Sequence, residues 1–164
     1  MIRSILFFIL AIIAGCTHYH RGASLEDVAQ SIYVEPVKNS SLCPKASSIL
    51  TPQLIKNIQQ NTSLKLTPKE KAQLHLQVEV VDFSQKSSTY NPDDTAQVLS
   101  FDLRIAAECT LIDKNGRLLL DHQRFETSMD LEKEKNFHLL RDQAIPPLME
   151  RLARKICAAV VNIW

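Results

Sequence analysis

Glycine is nearly missing from this chain of 164 residues, in which only Gly15, Gly22 and Gly116 occur. A phosphate-cradling loop needs several glycines within a few positions, so nucleotide binding of that kind is excluded. Also absent are a Gly-x-Ser-x-Gly elbow and a His-Glu-x-x-His helix, which removes two common hydrolytic chemistries. The expectation is a protein that is not an enzyme and carries no cofactor and no metal. An excess of one charge is missing too, with 19 Lys plus Arg against 18 Asp plus Glu. Nucleic-acid binders concentrate positive charge, so no nucleic acid is expected as a partner. No apolar run reaches the roughly 20 residues that a bilayer-spanning helix needs. An apolar content of 45% is nevertheless ample for one globular core.

What the N-terminus does contain is Arg3 followed by the apolar run Ile5-Leu6-Phe7-Phe8-Ile9-Leu10-Ala11-Ile12-Ile13. A positive start, about ten apolar residues and small residues before a cut describe a secretory signal peptide. The Ala-x-Ala pattern of ordinary cleavage is missing. Instead Ile13-Ala14-Gly15-Cys16 looks like a bacterial lipobox, cut between Gly15 and Cys16, with acyl chains then carried on Cys16. Removing the leader takes away only Arg3, so the mature chain is formally neutral. Cys43, Cys109 and Cys157 remain, an odd number that allows at most one internal disulfide. Their spacing fits no zinc pattern, and a pairing of Cys43 with either of the others stays open.

Residues 17–31 have no sustained periodicity and read as a tether, and His18 and His20 within it lack the further ligands a metal would need. The segment 32–37 is β-rich, but Pro36 cannot donate to a ladder, so it is an edge strand or a strand ending at Pro36. Leu50, Leu54, Ile55 and Ile58 recur at helical spacing and predict a helix within 45–60. Thr51-Pro52 suits an N-cap followed by Pro at the first helical position; an earlier start would leave Pro52 to kink the helix. Asn61-Thr62-Ser63 stops it.

Leu74, Leu76, Val78 and Val80 alternate with His75, Gln77 and Glu79, the pattern of a half-buried antiparallel strand with His75 toward solvent. Residues 84–94 are polar, with a turn at Asn91-Pro92-Asp93-Asp94. Leu99, Phe101, Leu103, Ile105, Ala107, Cys109 and Leu111 then form one apolar face opposite Ser100, Asp102, Arg104, Glu108 and Thr110. Asp113-Lys114-Asn115-Gly116 reads as a type I′ hairpin turn, with a return strand over 117–129 that alternates less clearly after Asp121. A charged connection at 130–136 leads to an amphipathic helix from about residue 145, with Pro146 and Pro147 in or just before its first turn. The order β-α-β-β-β-α predicts an α+β two-layer sandwich: a mostly antiparallel four-stranded sheet with two α-helices on one face.

Cys16, Tyr19, Gly22, Ile32-Tyr33-Val34, Pro36-Val37 and Asn39 together resemble the lipopolysaccharide-assembly lipoproteins of the LptE family. The resemblance implies a leader at 1–15, a lipidated Cys and tether at 16–31, and one domain over 32–164. It also implies anchoring by acyl chains to the periplasmic side of the outer membrane. The implied partners are the LptD-type β-barrel of the lipopolysaccharide translocon, which the domain would plug and help assemble, and lipopolysaccharide itself. Lipopolysaccharide phosphates require Lys or Arg. Arg104 on the open sheet face and Arg151, Arg154 and Lys155 on the last helix are the candidates, each of which would otherwise be ordinary solvated charge. The alternative is another non-enzymatic envelope-scaffolding lipoprotein.

The anchor has a direct test. Cys16→Ala should accumulate as an uncleaved precursor without incorporated fatty acid, and normal processing of that variant would reject the lipobox.

Overall fold

The computed structural model describes residues 29–90, 98–132 and 137–163. Gly15 and Cys16, His18 and His20, the turn at Asn91-Pro92-Asp93-Asp94, and Trp164 lie outside the described residues. The elements in chain order are β1 (Ser31–Val34), β2 (Lys38–Asn39), α1 (Ala46–Asn61) and β3 (Lys65–Leu66). A 3-10 turn at Lys69–Lys71 follows, then β4 (Leu74–Tyr90), β5 (Val98–Asp113), β6 (Leu118–Glu132) and α2 (Phe137–Val161). The α+β architecture is the expected one. Among the described residues no helix is long and apolar enough to cross a membrane.

The sheet departs from the expected four antiparallel strands. It has six, in the order β3-β1-β4-β5-β6, with β2 paired to β4. β1 is parallel to both β3 and β4, and β2 is parallel to β4, whereas β4-β5 and β5-β6 are antiparallel. The cause is the α1 crossover: a helix between two neighbouring strands returns the chain in its original direction and makes them parallel. β1 consequently lies inside the sheet instead of at its edge. The second reading of that segment holds, since β1 ends before Pro36 and β2 resumes beyond it.

Both helices begin well before their prolines: for α1 this is the earlier of the two starts left open within 45–60, and for α2 it differs from the expected start near 145. α1 starts at Ala46 after Lys45, which takes a left-handed conformation (φ 58°), and Pro52 lies inside the helix. α2 starts at Phe137 and holds Pro146 and Pro147 in its interior. Each proline removes a backbone donor, from the carbonyls of Ser48, Asp142 and Gln143 respectively. All three prolines and all three of those residues are exposed, so water can satisfy the freed carbonyls. The apolar stripes hold the helices on the sheet regardless. Leu50, Leu54 and Ile58 of α1 and Leu148, Met149, Leu152, Ile156 and Val160 of α2 are fully buried.

These stripes join Leu74, Leu76, Val78 and Val80 of β4 and Leu103, Ile105, Ala107, Cys109 and Leu111 of β5 in one core. Both helices therefore cover one face. β4 and β5 run further than their apolar residues: β4 continues through the exposed stretch Gln85 to Tyr90, and Leu99 at the start of β5 is 39% exposed. Backbone pairing and the hydroxyl contact of Ser88 with Ser100 (2.7 Å) carry this polar ribbon. β6 likewise reaches Glu132, into the segment expected as a connection. The hairpin turn is not type I′, because Gly116 alone has positive φ (82°) there while Asn115 does not. Gly116 N–H donates to Asp113 O (3.0 Å), and Asp113 Oδ1 accepts from the N–H groups of Asn115 (2.7 Å) and Arg117 (2.9 Å). That is a three-residue loop ending in a left-handed glycine.

Cys43, Cys109 and Cys157 are free and buried, so no pairing of Cys43 is made. Burial pushes the Cys43 thiol up to about 11, against the Arg141 charge, and Cys109 up to about 12. Such thiols act as small apolar core residues.

The core sets the scale of mutational effects. Leu152→Ala should cost about 2–5 kcal/mol, read from the urea midpoint at unchanged slope. Leu139→Ala, at a side chain 57% exposed, should stay within about 0.5 kcal/mol.

Candidate functional site

The face of the sheet away from the helices is the large surface that the core does not use. Strand register orders it into rows. Tyr33, His75, Ile112 and Leu118 stand side by side at the end nearest the hairpin turn. His75 is half-buried edge-on against Tyr33, with ring centroids 6.2 Å apart, so it is a packed imidazole and less solvated than its polar side of the strand suggested. Next come Gln77 with Thr110, and then Glu79, Glu108 and Arg124.

Beyond these rows β4 carries an irregularity between Val80 and Asp82 that leaves Val81 without a partner in β5. One extra residue shifts the phase of a strand by one. After it Phe83 faces the helices while Asp82, Ser84 and Lys86 face outward, opposite Ala106, Arg104 and Asp102. β6 completes these rows with Glu126, Ser128 and Asp130. From Glu79 to Glu132 the open face thus presents Glu79, Asp82, Asp102, Glu108, Glu126, Asp130 and Glu132 against Lys38, Lys86, Arg104 and Arg124. It is an acidic surface.

The four cations proposed for phosphate do not converge. Arg104 is on this open face, where Asp102 pairs with its guanidinium at 3.2 Å. Arg151, Arg154 and Lys155 are exposed on α2, on the helix side of the sheet. Two of them are turned toward the edge strand: Lys155 Nζ donates to Glu126 O (2.7 Å), and Arg151 donates to Ser128 O at the longer distance of 3.4 Å. β6 ends the sheet, and an uncovered edge is a template for unwanted pairing. These side chains cap part of that edge.

A recess of about 130 Å³ opens on the acidic face, lined by Glu35, Pro36, Lys38, Gln77, Val78, Glu79, Glu108, Thr110 and His122. β1 and β2 supply its rim because the parallel crossover places them beside β4. Glu35 is paired with Lys69 at 3.2 Å, and Glu79 accepts a hydrogen bond from the Ser40 hydroxyl. His122 reaches the recess from a second irregularity, where β6 has one residue more than β5 between the Cys109–Gln123 and Leu111–Leu120 pairs. Its φ of 44° is left-handed, a conformation uncommon outside glycine but less so for His. The Asp121 carboxylate, 2.7 Å from His122 Nδ1, raises the imidazole pKa through its hydrogen bond and charge, with smaller help from Glu108 and Glu79. Sequence reasoning placed Glu79, Glu108 and Thr110 on a polar face but missed the recess. The loss of clear alternation after Asp121 was the signal of the bulge that brings His122 to it.

The family model described as lipopolysaccharide-assembly (LptE) matches residues 29–160. No curated protein matches the chain. Three solved structures share its fold at low identity. A minor lipoprotein from Acinetobacter baumannii is 12% identical with a TM-score of 0.55, over 80% of this chain and 92% of its own. An uncharacterized lipoprotein B from Nitrosomonas europaea is 15% identical with a TM-score of 0.54, over 81% and 80% respectively. A protein from Xanthomonas campestris is 10% identical with a TM-score of 0.58, over 83% and 86%.

The ion pair at the recess yields a pH prediction. Because its folded pKa is raised, His122 contributes stability fully below the ordinary value of 6.5, and that contribution fades as pH rises through the raised value. The imidazole resonances should titrate above 6.5, and Asp121→Asn should bring the midpoint down; a wild-type midpoint at or below 6.5 contradicts the geometry.

Proposed function

This chain belongs to the LptE lipopolysaccharide-assembly family, and on that premise we propose that it is the outer-membrane lipoprotein subunit of a lipopolysaccharide translocon. The family is one of non-enzymatic envelope lipoproteins, associated with LptD and lipopolysaccharide. In the finer reading, residues 1–15 are a leader, Cys16 carries acyl chains after cleavage at Gly15, and residues 16–31 tether one domain at the periplasmic side of the membrane. The domain plugs the lumen of the LptD-type barrel, assists its assembly and helps deliver lipopolysaccharide to the surface.

The observation that carries this reading is the reach of the family match, which spans β1 to α2 and so covers the whole fold. Physical considerations agree with it. A single acyl chain gives marginal membrane binding, whereas two or more on one Cys give stable anchoring. A plug must fold without its partner, and the core of two helices on one sheet face provides for that. It must also offer a polar surface to a barrel lumen, which is itself polar. The open sheet face is such a surface.

Arg104, Arg151, Arg154 and Lys155 remain the proposed phosphate contacts. Arg154 is the candidate without a partner named above, whereas Arg104 would have to give up Asp102, and Arg151 and Lys155 the edge carbonyls of β6.

Purification through a C-terminal tag after mild detergent extraction should recover an outer-membrane barrel of the transport type. Depletion should reduce lipopolysaccharide at the cell surface. Recovery of no barrel together with normal surface lipopolysaccharide would instead support a different scaffolding lipoprotein.

A further inference from the structure

The end of the sheet where the chain enters the domain differs in charge from the acidic rows beyond it. Hydrogen bonds fix that entry: Gln30 N–H donates to Gln73 Oε1 (2.6 Å), and Lys65 N–H donates to Gln30 O (2.9 Å). Register brings the starts of β1, β3 and β4 to this end together with the β5–β6 hairpin loop. Ser31 pairs with Lys65, Ile32 with Leu74, and Leu74 with Asp113. Lys65, Lys71, Lys114 and Arg117 are thereby gathered across one end, and all four are exposed.

Little opposes them. Among the described residues none of the four is in an ion pair within 4.0 Å. Glu35 is held by Lys69 at 3.2 Å. The Asp113 carboxylate accepts the Arg117 and Asn115 N–H groups of its own loop, which hold its pKa below the ordinary value, with the Arg117 charge a lesser contributor. Glu70, between Lys69 and Lys71, is the carboxylate that remains. Four cations against it reverse the sign found from Glu79 onward.

Apolar surface lies beside the cations. The adjoining row is Tyr33, His75, Ile112 and Leu118, and Leu118 is 50% exposed. Lys and Arg around an exposed apolar side chain suit a phosphate-bearing lipid surface, which attracts the charge and admits the apolar group at its acyl boundary.

Chain length decides which end such a surface meets. The 13 residue steps from Cys16 to Ala29 reach at most about 45 Å. β4 alone runs 17 residues from this end, roughly 53 Å. A domain standing on its far end would hold Ala29 beyond the reach of an anchor at Cys16.

We propose that the entry end docks on the headgroups of the bilayer that holds the Cys16 acyl chains, with Lys65, Lys71, Lys114 and Arg117 on lipid phosphates and Leu118 at the acyl boundary. This rests on the acyl-anchor part of the reading above and adds a second membrane contact, which sets the way round the domain stands.

The test uses the full mature chain, acylated, in vesicles containing phosphatidylglycerol. A fluorescent amino acid replaces Leu118, or replaces Tyr90 at the far end of β4 as a control. A spin label on the lipid headgroups should quench position 118 and leave position 90 unquenched. Each basic residue adds on the order of fivefold to partitioning onto anionic lipid. Quenching at 118 should therefore be lost in phosphatidylcholine vesicles and in the Lys65→Gln/Lys71→Gln/Lys114→Gln/Arg117→Gln variant. All four sites are exposed, and an unchanged urea midpoint verifies that this variant folds. No quenching at 118, equal quenching at 118 and 90, or quenching that survives either change overturns the inference, while acyl chains found on Cys16 keep the anchor reading. If wild type carries no acyl chain, the anchor reading fails and flotation of the unacylated chain with vesicles decides. Flotation that needs phosphatidylglycerol and is lost in the quadruple variant retains the lipid surface, and any other result overturns it.

Discussion

The strict alternation of β5 is the constraint on which the rest of the molecule depends. This strand lies between β4 and β6 and pairs with both over most of its length. Its odd positions from Leu103 to Leu111 are completely buried, so a one-residue slip would carry the whole apolar set to solvent. Register on both sides is thus held by hydrophobic burial. Where the neighbours' sequences fall out of phase with β5, the backbone gives way. β4 drops Val81 out of pairing, and β6 inserts extra residues around Asp121 and His122. Bulges let three strands of unequal count keep one apolar face.

The same constraint explains the asymmetry of the two layers. Only one sheet face is apolar, so α1 and α2 both lie there, and each tolerates prolines because its stripe is anchored from below. Pro52, Pro146 and Pro147 all point to water, where an unpaired carbonyl is hydrated. α2 adds a second service by sending Arg151 and Lys155 to carbonyls of the edge strand. What looks in sequence like a free basic face on an amphipathic helix is partly engaged in closing the sheet.

Residues with regular patterns were legible. The alternation of 74–80 and 103–111, the helical spacing of Leu50, Leu54 and Ile58, and the amphipathic pattern of the last helix predicted buried faces that the fold has. Chain direction was legible in principle, since a strand, a helix and a neighbouring strand are normally parallel. The element boundaries were not. Pro52 and Pro146-Pro147 carry a strong local preference for a helix start, and tertiary burial of their neighbours outweighs it. The polar stretch 84–90 has no amphipathic signal, yet it is strand because β5 offers it a backbone partner. Two-residue β2 and β3 leave no pattern that any periodicity could reveal. The recess is a product of topology, bringing β1, β2, β4, β5 and a bulged β6 to one place, and no linear motif records that.

Charge shows why the polar face should be read separately from the phosphate question. The chain carries a formal net charge of only +1, but the fold sorts the charge unevenly. Carboxylates gather on the open face at the middle of the sheet, while Arg151, Arg154 and Lys155 project from the helix layer. An anionic lipid approaching the open face would meet Glu79, Asp82, Glu108 and Glu126 around Arg124, and Arg104 is already paired. Electrostatics in a confined lumen favour matching charge against charge, since complementary surfaces set orientation and exclude wrong registers. A near-neutral domain with an acidic sheet and basic helix residues has a preferred way round in any charged enclosure. Of the four proposed phosphate contacts, Arg151, Arg154 and Lys155 project from the helix layer, away from those carboxylates, whereas Arg104 stands among them.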